Sequence, residues 1–267
     1  MLTKPPTPSP IILYKSSRVL ATLAAACVLS LGLLAGRIAY SDRSTYDFLA
    51  WNLVLAVIPL MLALLLDRLL PSGRRALSVA GVALWILFLP NAPYVVTDFV
   101  HLNSDPPVPL WFDVLLFSTY AWTGLQLGFV SIHVVMEHAR RRLGARTAWA
   151  LTVVLLAACS LAIYLGRFEV LNSWDLLVRP QTVLSAIFSP HSLPRVSGFT
   201  AGFTAFLLVA YANVEALIGS RGMRAVSAPA RKRSGSPSPE DSRAAQDRPP
   251  EERRSRRRER GAPPGAS

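Results

Sequence analysis

Six long apolar stretches, free of Asp, Glu, Lys and Arg, constrain the fold of this chain more than any other feature. Each is close to the roughly 20 residues that a helix needs to cross about 30 Å of hydrocarbon, and helices satisfy their own backbone hydrogen bonds in lipid. The alternation of polar and apolar residues typical of barrel strands is absent. The sequence therefore predicts an all-α membrane protein, a bundle of six transmembrane helices at residues 19–36, 48–66, 76–97, 114–136, 147–166 and 196–213.

The composition of the chain agrees with a membrane location. The chain is 52% hydrophobic and 16% charged, whereas a soluble domain carries about 25% charged residues. The first stretch follows Lys15 and Arg18, as the apolar core of a signal peptide would, but it lacks a convincing small-residue cleavage site. We interpret it as a retained transmembrane helix.

Basic residues are distributed unevenly between the connections. Ten of the fifteen Lys and Arg residues that precede the C-terminal tail lie before the first stretch or in the second and fourth connections. Cytoplasmic loops are enriched in Lys and Arg. We therefore expect both termini to be cytoplasmic and the odd-numbered connections to face outward.

The chain divides by composition into three regions. Residues 1–16 hold four prolines and predict a flexible arm, residues 17–219 form the six-helix domain, and residues 220–267 are rich in Arg, Ser, Pro and Glu. The last region has too little apolar surface to fold, so we expect a disordered, basic, cytoplasmic tail. Besides the bilayer itself, anionic lipid is a candidate partner of this tail; a plain solvated tail is the alternative. Nucleic acid is not an expected partner, because no aromatic residues alternate with the arginines.

Two prolines predict a distortion in the third stretch. Pro90 and Pro93 fall in its last third, and an interior proline removes a donor and clashes with the carbonyl four residues earlier. We expect a kink or an unwound turn at 89–93, with the Asn91 side chain as a candidate partner for a freed carbonyl.

Apolar residues also recur at helical spacing between the fifth and sixth stretches, until Pro190 ends the pattern. They predict one or two short helices over residues 173–189 on the outer membrane surface. A packed loop helix without lipid contact is the alternative.

Polar side chains concentrate at the predicted outer ends of the stretches, where they are costly and mark function or pairing. Asp98 and His101 are three residues apart, a spacing that suits an acid–base pair or a metal on one helix face. Asp98, His101 and Asp113 are the candidate catalytic residues. No metal site is predicted, because no further histidine is near. The candidate substrate-binding residues are Asn52, Asn91, Tyr94, Arg167, Asn172, Trp174 and Asp175.

Some of these residues also have a structural interpretation that involves neither catalysis nor substrate binding. Arg167 could extend to lipid headgroups, pair with Asp98 or Asp175 as a buried brace, or bind an anionic substrate. Trp174 lies at interfacial depth, where tryptophan is enriched anyway. A glycine-rich phosphate loop, a zinc pattern and a nucleophile elbow are all absent from the sequence. Neither a cofactor nor an oligomeric state follows from it.

Three segments resemble the motifs of a known family. They are Trp51-Asn52-Leu53 with Ile58-Pro59, Leu-Pro-Asn-Ala-Pro-Tyr-Val-Val-Thr-Asp at 89–98 with His101-Leu102, and Gly166-Arg167-Phe168 with Asn-Ser-Trp-Asp at 172–175. They look like the motifs of domain of unknown function 1361, an uncharacterised bacterial integral-membrane family, and the similarity covers about residues 47–218. The resemblance implies a polytopic bacterial inner-membrane protein and brings no substrate, cofactor or catalytic assignment.

Three functions from different classes remain open. The first is an outward-facing polar site that binds or processes an envelope or lipid-linked substrate. The second is a structural or regulatory membrane partner, in which the polar residues form a folding brace. The third is a small-solute transporter or channel. An open, carboxylate-lined cavity would favour the first, a closed salt-bridged cluster the second, and a continuous polar path the third.

Overall fold

The computed structural model describes residues 17–103, 106–169, 171, 178–188 and 192–227, of which 17, 186 and 217–227 are described by backbone only. The predicted arm at 1–16 and the tail beyond residue 227 lie outside this part of the chain. Within it the chain forms helices and no strand. Its α-helices are α1 Ser17–Ser41, α2 Phe48–Leu69, α3 Arg75–Phe88, α4 Asn91–Tyr94, α5 Leu110–Leu143, α6 Ala145–Phe168, α7 Pro180–Phe188 and α8 Leu193–Ser227. The 3-10 helices Leu70–Ser72 and Val95–His101 follow α2 and α4.

Six helical segments are long and apolar enough to cross a membrane, which confirms the predicted all-α, six-helix transmembrane fold. Each of the six stretches identified in the sequence lies inside one of these segments. The protein is therefore a multi-pass membrane protein. The segments are Arg18–Ser41, Phe48–Ser72, Arg75–His101, Leu110–Leu143, Ala145–Phe168 and Leu193–Ala216.

Helix α5 is the central element of the bundle. In the apolar window of each span, 72% of the residues are buried in the fourth span, against 17% in the first and 11% in the sixth. Helix α5 packs against α1, α2, α4 and α6, and also against the 3-10 helix Val95–His101. The first and last spans therefore turn most of their side chains to lipid, whereas a polar group on α5 needs a partner inside the protein.

Buried polar side chains in the middle of the bundle form neutral hydrogen-bonded pairs. The indole Nε1 of Trp85 donates to Ser131 Oγ at 2.7 Å, and Ser131 Oγ donates to the carbonyl oxygen of Pro59 at 3.0 Å. The hydroxyl oxygens of Ser30 and Thr123 lie 3.1 Å apart. These bonds join α1, α2, α3 and α5 without placing charge where it would be costly.

The third span changes its hydrogen bonding at the two prolines. Helix α3 ends at Phe88, and α4 begins three residues later. Pro90 and Pro93 have no backbone N–H to donate, and Asn91 Nδ2 donates to the carbonyl oxygen of Phe88 at 2.9 Å. The span then continues as the 3-10 helix Val95–His101. The kink itself stays a prediction, as does the outer-surface position of α7.

Two glycines of α5 allow this irregular segment to approach closely. A Cβ atom at Gly124 would lie 2.5 Å from the carbonyl oxygen of Ala92 and 3.2 Å from Cγ2 of Val95. A Cβ atom at Gly128 would lie 3.0 Å from Cβ of Ala92. Helices in membranes approach each other closely where the facing residues are small. Gly124 and Gly128 therefore fix the position of the backbone that carries the polar residues described below.

Replacing Gly124 by alanine should destabilise the protein. The new methyl group forces α4 to move, and overpacking of this kind costs about 1–3 kcal/mol. Gly202→Ala in α8 is the matched control, because a Cβ there has nothing within 4 Å. We expect a lower melting temperature in detergent for Gly124→Ala and no decrease for Gly202→Ala. Equal melting temperatures would show that α4 accommodates the methyl group.

Candidate functional site

Polar side chains from three spans meet at one end of the bundle. The second turn of α2, the segment from Tyr94 to His101 and the last turn of α6 each contribute. Their side chains are joined by hydrogen bonds and ring contacts. We call this group the outer cluster, after the membrane side on which the sequence predicts it, and its members are Asn52, Tyr94, Thr97, Asp98, His101 and Arg167.

Arg167 is the centre of the outer cluster. Its Nε donates to Thr97 Oγ1 at 2.9 Å, and its Nη1 lies 2.7 Å from His101 Nε2. Its Nη2 donates to Asp98 Oδ1, and its Cζ lies 4.2 Å from the centre of the Tyr94 ring. Only 9% of the side chain is exposed. A guanidinium held on three edges and one face has little freedom to move, so Arg167 acts as a rigid donor.

Asp98 is enclosed by its partners. Its side chain is 0% exposed. Oδ1 accepts from Arg167, and Oδ2 accepts from Asn52 Nδ2 at 2.8 Å. A buried carboxylate needs such pairing to remain charged. Each carboxylate oxygen of Asp98 therefore has one hydrogen-bond donor within the outer cluster.

His101 is the exposed member of the outer cluster. A guanidinium donates hydrogen bonds and accepts none, so Nε2 is the acceptor of the bond from Arg167 and the ring proton lies on Nδ1. The ring also contacts Phe48 edge to face, with 5.2 Å between centroids. The imidazole is therefore held in one orientation while its surface remains accessible.

Asp113 belongs to a second, separate ion pair. Arg37 Nε donates to Asp113 Oδ1 at 2.7 Å and Nη2 donates to Oδ2 at 3.2 Å, with both side chains 0% exposed. The Arg37 guanidinium also lies 4.2 Å from the centre of the Tyr46 ring. Tyr46 contacts Phe48, which contacts His101 in turn. Aromatic rings therefore separate Asp113 from the outer cluster.

Asn91 is not part of the outer cluster, and three further candidate residues are not described by the structure. Asn91 is half-buried and donates to the Phe88 carbonyl, which assigns its amide to the local backbone. Asn172, Trp174 and Asp175 lie outside the described residues. Within the described part of the chain, no three His, Cys, Asp or Glu side chains form a group that could hold a metal ion.

The opposite end of the bundle holds buried ion pairs that the sequence analysis did not group. Glu215 Oε1 lies 2.7 Å from His133 Nδ1, and Arg140 Nη2 donates to Glu215 Oε2 at 3.2 Å. His138 Nε2 lies 2.9 Å from Asp67 Oδ1. The available signal was a carboxylate at the inner end of two apolar stretches, which requires a partner when buried. These pairs join α2 and α8 to α5.

A comparison with protein families matches residues 51–210 to the model described as "Protein of unknown function (DUF1361)". The match covers more than half of the chain and includes the whole outer cluster. The chain belongs to the DUF1361 family. No curated protein and no solved structure matches it. Asp113 lies inside the DUF1361 segment, whereas its partner Arg37 lies outside it, as does Glu215 at the opposite end of the bundle.

Proposed function

We propose that this DUF1361 protein binds or processes an envelope or lipid-linked substrate at the outer cluster, with His101 facing the substrate. One observation carries the proposal: His101 is exposed, yet its ring is fixed by Arg167 and Phe48. A residue that served only to hold helices together would not need an accessible, oriented imidazole. The Nδ1–H is a suitable donor to a phosphate, carboxylate or hydroxyl group of a lipid headgroup.

The other members of the outer cluster are positioning residues in this proposal. Asp98 and Asn52 hold Arg167 in place, and Arg167 fixes the tautomer of His101. Catalytic and binding groups depend on such support, because a small misplacement weakens every contact to the substrate. The position of these residues at the ends of their spans supports a site near headgroup depth rather than at the middle of the bilayer.

We also propose that the outer cluster faces away from the cytoplasm, in a bacterial inner membrane with both termini inside. The support is the bias of Lys and Arg toward the connections at the other end of the bundle. A substrate reaching the outer cluster would then come from the outer leaflet or the envelope.

A structural brace is the second candidate function. The observation that favours it is the complete burial of Asp98, with both carboxylate oxygens paired. The outer cluster joins the second, third and fifth spans, so its loss would loosen their outer ends. A brace and a binding site differ in what they require of His101.

His101→Gln should weaken substrate binding without unfolding the protein. Losing one hydrogen bond to a ligand weakens binding by up to roughly tenfold. The probe is the total lipid extract of the host membrane, added to the detergent-solubilised full chain and analysed by mass spectrometry after repurification. We expect wild-type protein to retain a lipid-linked species that His101→Gln loses.

Tyr40→Phe is the matched control, because it removes an exposed hydroxyl at the end of α1 that precedes the first outer connection. It should retain the same species as the wild type, and both variants should keep the wild-type melting temperature. If His101→Gln retains every species that the wild type retains, His101 does not contact a substrate. The brace is then the better description of the outer cluster.

A further inference from the structure

The end of the bundle opposite the outer cluster carries a surface of exposed arginines. Arg68, Arg74 and Arg75 lie where α2 leads into α3, and Arg146 lies in the first turn of α6. All four are exposed. We call these four residues the basic face.

The two connections that form the basic face lie side by side. Arg142 Nη2, near the end of α5, donates to the carbonyl oxygen of Leu70 at 3.0 Å. Leu70 begins the 3-10 helix that leads to Arg74, and Arg142 lies just before the Gly144 break that separates α5 from Arg146 in α6. The arginines of both connections therefore belong to one continuous surface.

The described part of the chain does not neutralise the basic face. Within the described part of the chain, the four arginine side chains make no hydrogen bond or ion pair. The nearby carboxylates are buried and already engaged, since Asp67 lies 2.9 Å from His138 Nε2 and Glu137 accepts from Arg141 Nε at 3.1 Å. Among the described residues at this end, the positive charge of the exposed surface is therefore uncompensated.

The helix starts at this end add to the same charge. Neither α3 nor α6 has an acidic residue in its first turn or a side chain that caps its N-terminus. The start of a helix carries a partial positive charge. Basic side chains near it are therefore repelled. An anion at this surface would relieve that repulsion and would also neutralise the charge of the four arginines.

We propose that the basic face binds the headgroup of an anionic phospholipid. Its arginines lie at the ends of membrane spans, where a lipid phosphate is within reach of a guanidinium. Arginine binds phosphate through paired N–H donors. Basic clusters beside transmembrane helices attract anionic lipid, and such clusters select it over zwitterionic lipid. This surface is distinct from the outer cluster and from the C-terminal tail.

Removing charge from the basic face should weaken binding of anionic lipid. The probes are phosphatidylglycerol and phosphatidylcholine, titrated into the full chain in neutral detergent, with bound lipid counted by native mass spectrometry. We expect wild-type protein to prefer phosphatidylglycerol. Arg75→Gln/Arg146→Gln takes one arginine from each connection and should weaken that binding by about 25-fold, or fivefold per charge.

Arg179→Gln/Arg195→Gln is the matched control, because it removes two exposed arginines from the other end of the bundle. Its affinity should stay within about twofold of wild type, and Arg75→Lys/Arg146→Lys should keep the preference because the charge remains. An equal loss in the control, or no loss in the basic double variant, would overturn the proposal. Equal binding of the two lipids would overturn it as well.

Discussion

Replacing Arg167 by alanine should lower the free energy of unfolding by about 3–5 kcal/mol, because it leaves the Asp98 carboxylate buried and without its cationic partner. Asp98→Ala should lower it by a similar amount, since the guanidinium then loses the acceptor that neutralises it. Both changes also release Thr97, His101 or Asn52 from a hydrogen bond. Unfolding by SDS titration of the purified protein in mixed micelles measures these differences.

The double variant Arg167→Ala/Asp98→Ala should lose much less than the sum of the two single losses. Removing both partners leaves no unpaired charge, and residues in direct contact are not additive. Arg179→Ala, an exposed arginine near the start of α7, is the matched control and should change the stability by less than about 0.5 kcal/mol. Additive losses would mean that Arg167 and Asp98 stabilise the protein independently of their ion pair.

At the Arg37–Asp113 pair, single and double substitutions should differ even more in their effect on stability. Both side chains are completely buried, so Arg37→Ala or Asp113→Ala alone should destabilise by about 3–5 kcal/mol. Replacing both by apolar residues of similar size, as in Arg37→Met/Asp113→Leu, removes the buried charges together. We expect the free energy of unfolding of this double variant, measured by the same SDS titration, to be at least that of the wild type.

The same double variant separates stability from function. Asp113 pairs with Arg37 and is separated from His101 by Tyr46 and Phe48, so Arg37→Met/Asp113→Leu should still retain the lipid-linked species that His101 binds. If this stable variant loses the species, Asp113 takes part in the site after all. If it remains as unstable as the single variants, the charged pair is required to specify this packing and the apolar replacement fails.

The two ends of the bundle have opposite electrostatic characters. At the outer cluster, each charge has a partner, and the exposed histidine remains accessible. At the other end, the carboxylates of Asp67 and Glu137 are paired with other side chains, and the basic face stays positive among the described residues. The proposals for the two ends can therefore fail separately: His101 variants test the outer cluster, and charge removal at Arg75 and Arg146 tests lipid binding.

Much of the candidate site could be predicted because each apolar stretch has only two ends. Asp98 and Arg167 end the third and fifth stretches, which are both followed by outward connections, so the sequence placed them at the same end. A pairing of Arg167 with Asp98 or Asp175 was one of the interpretations, and the structure shows the pair with Asp98. Which of the two carboxylates pairs with Arg167 depends on which helices are neighbours. The spacing of residues along the chain does not show this.

Asp113 shows why the rest of the site could not be predicted. The sequence placed it at the outward end of the fourth stretch, and it was grouped with Asp98 and His101 for that reason. Its partner Arg37 was counted only as a charge in the first connection. The two residues are 76 positions apart in the chain, and α1 must pack on α5 before they can meet. The pair between His133 and Glu215 follows the same rule, because α8 brings its carboxylate from 82 positions away.

The sequence by itself determined the all-α class, the six spans and the end of each span at which the polar residues lie. Lipid imposes these features locally, since every stretch must satisfy its own backbone and be long enough to cross the hydrocarbon. The tertiary structure alone decided that α5 is central and that Gly124 and Gly128 admit the α4 backbone. It also decided which charge neutralises which, because side-chain pairing depends on helix neighbours and rotation, and the hydrophobic length of a span leaves both undetermined.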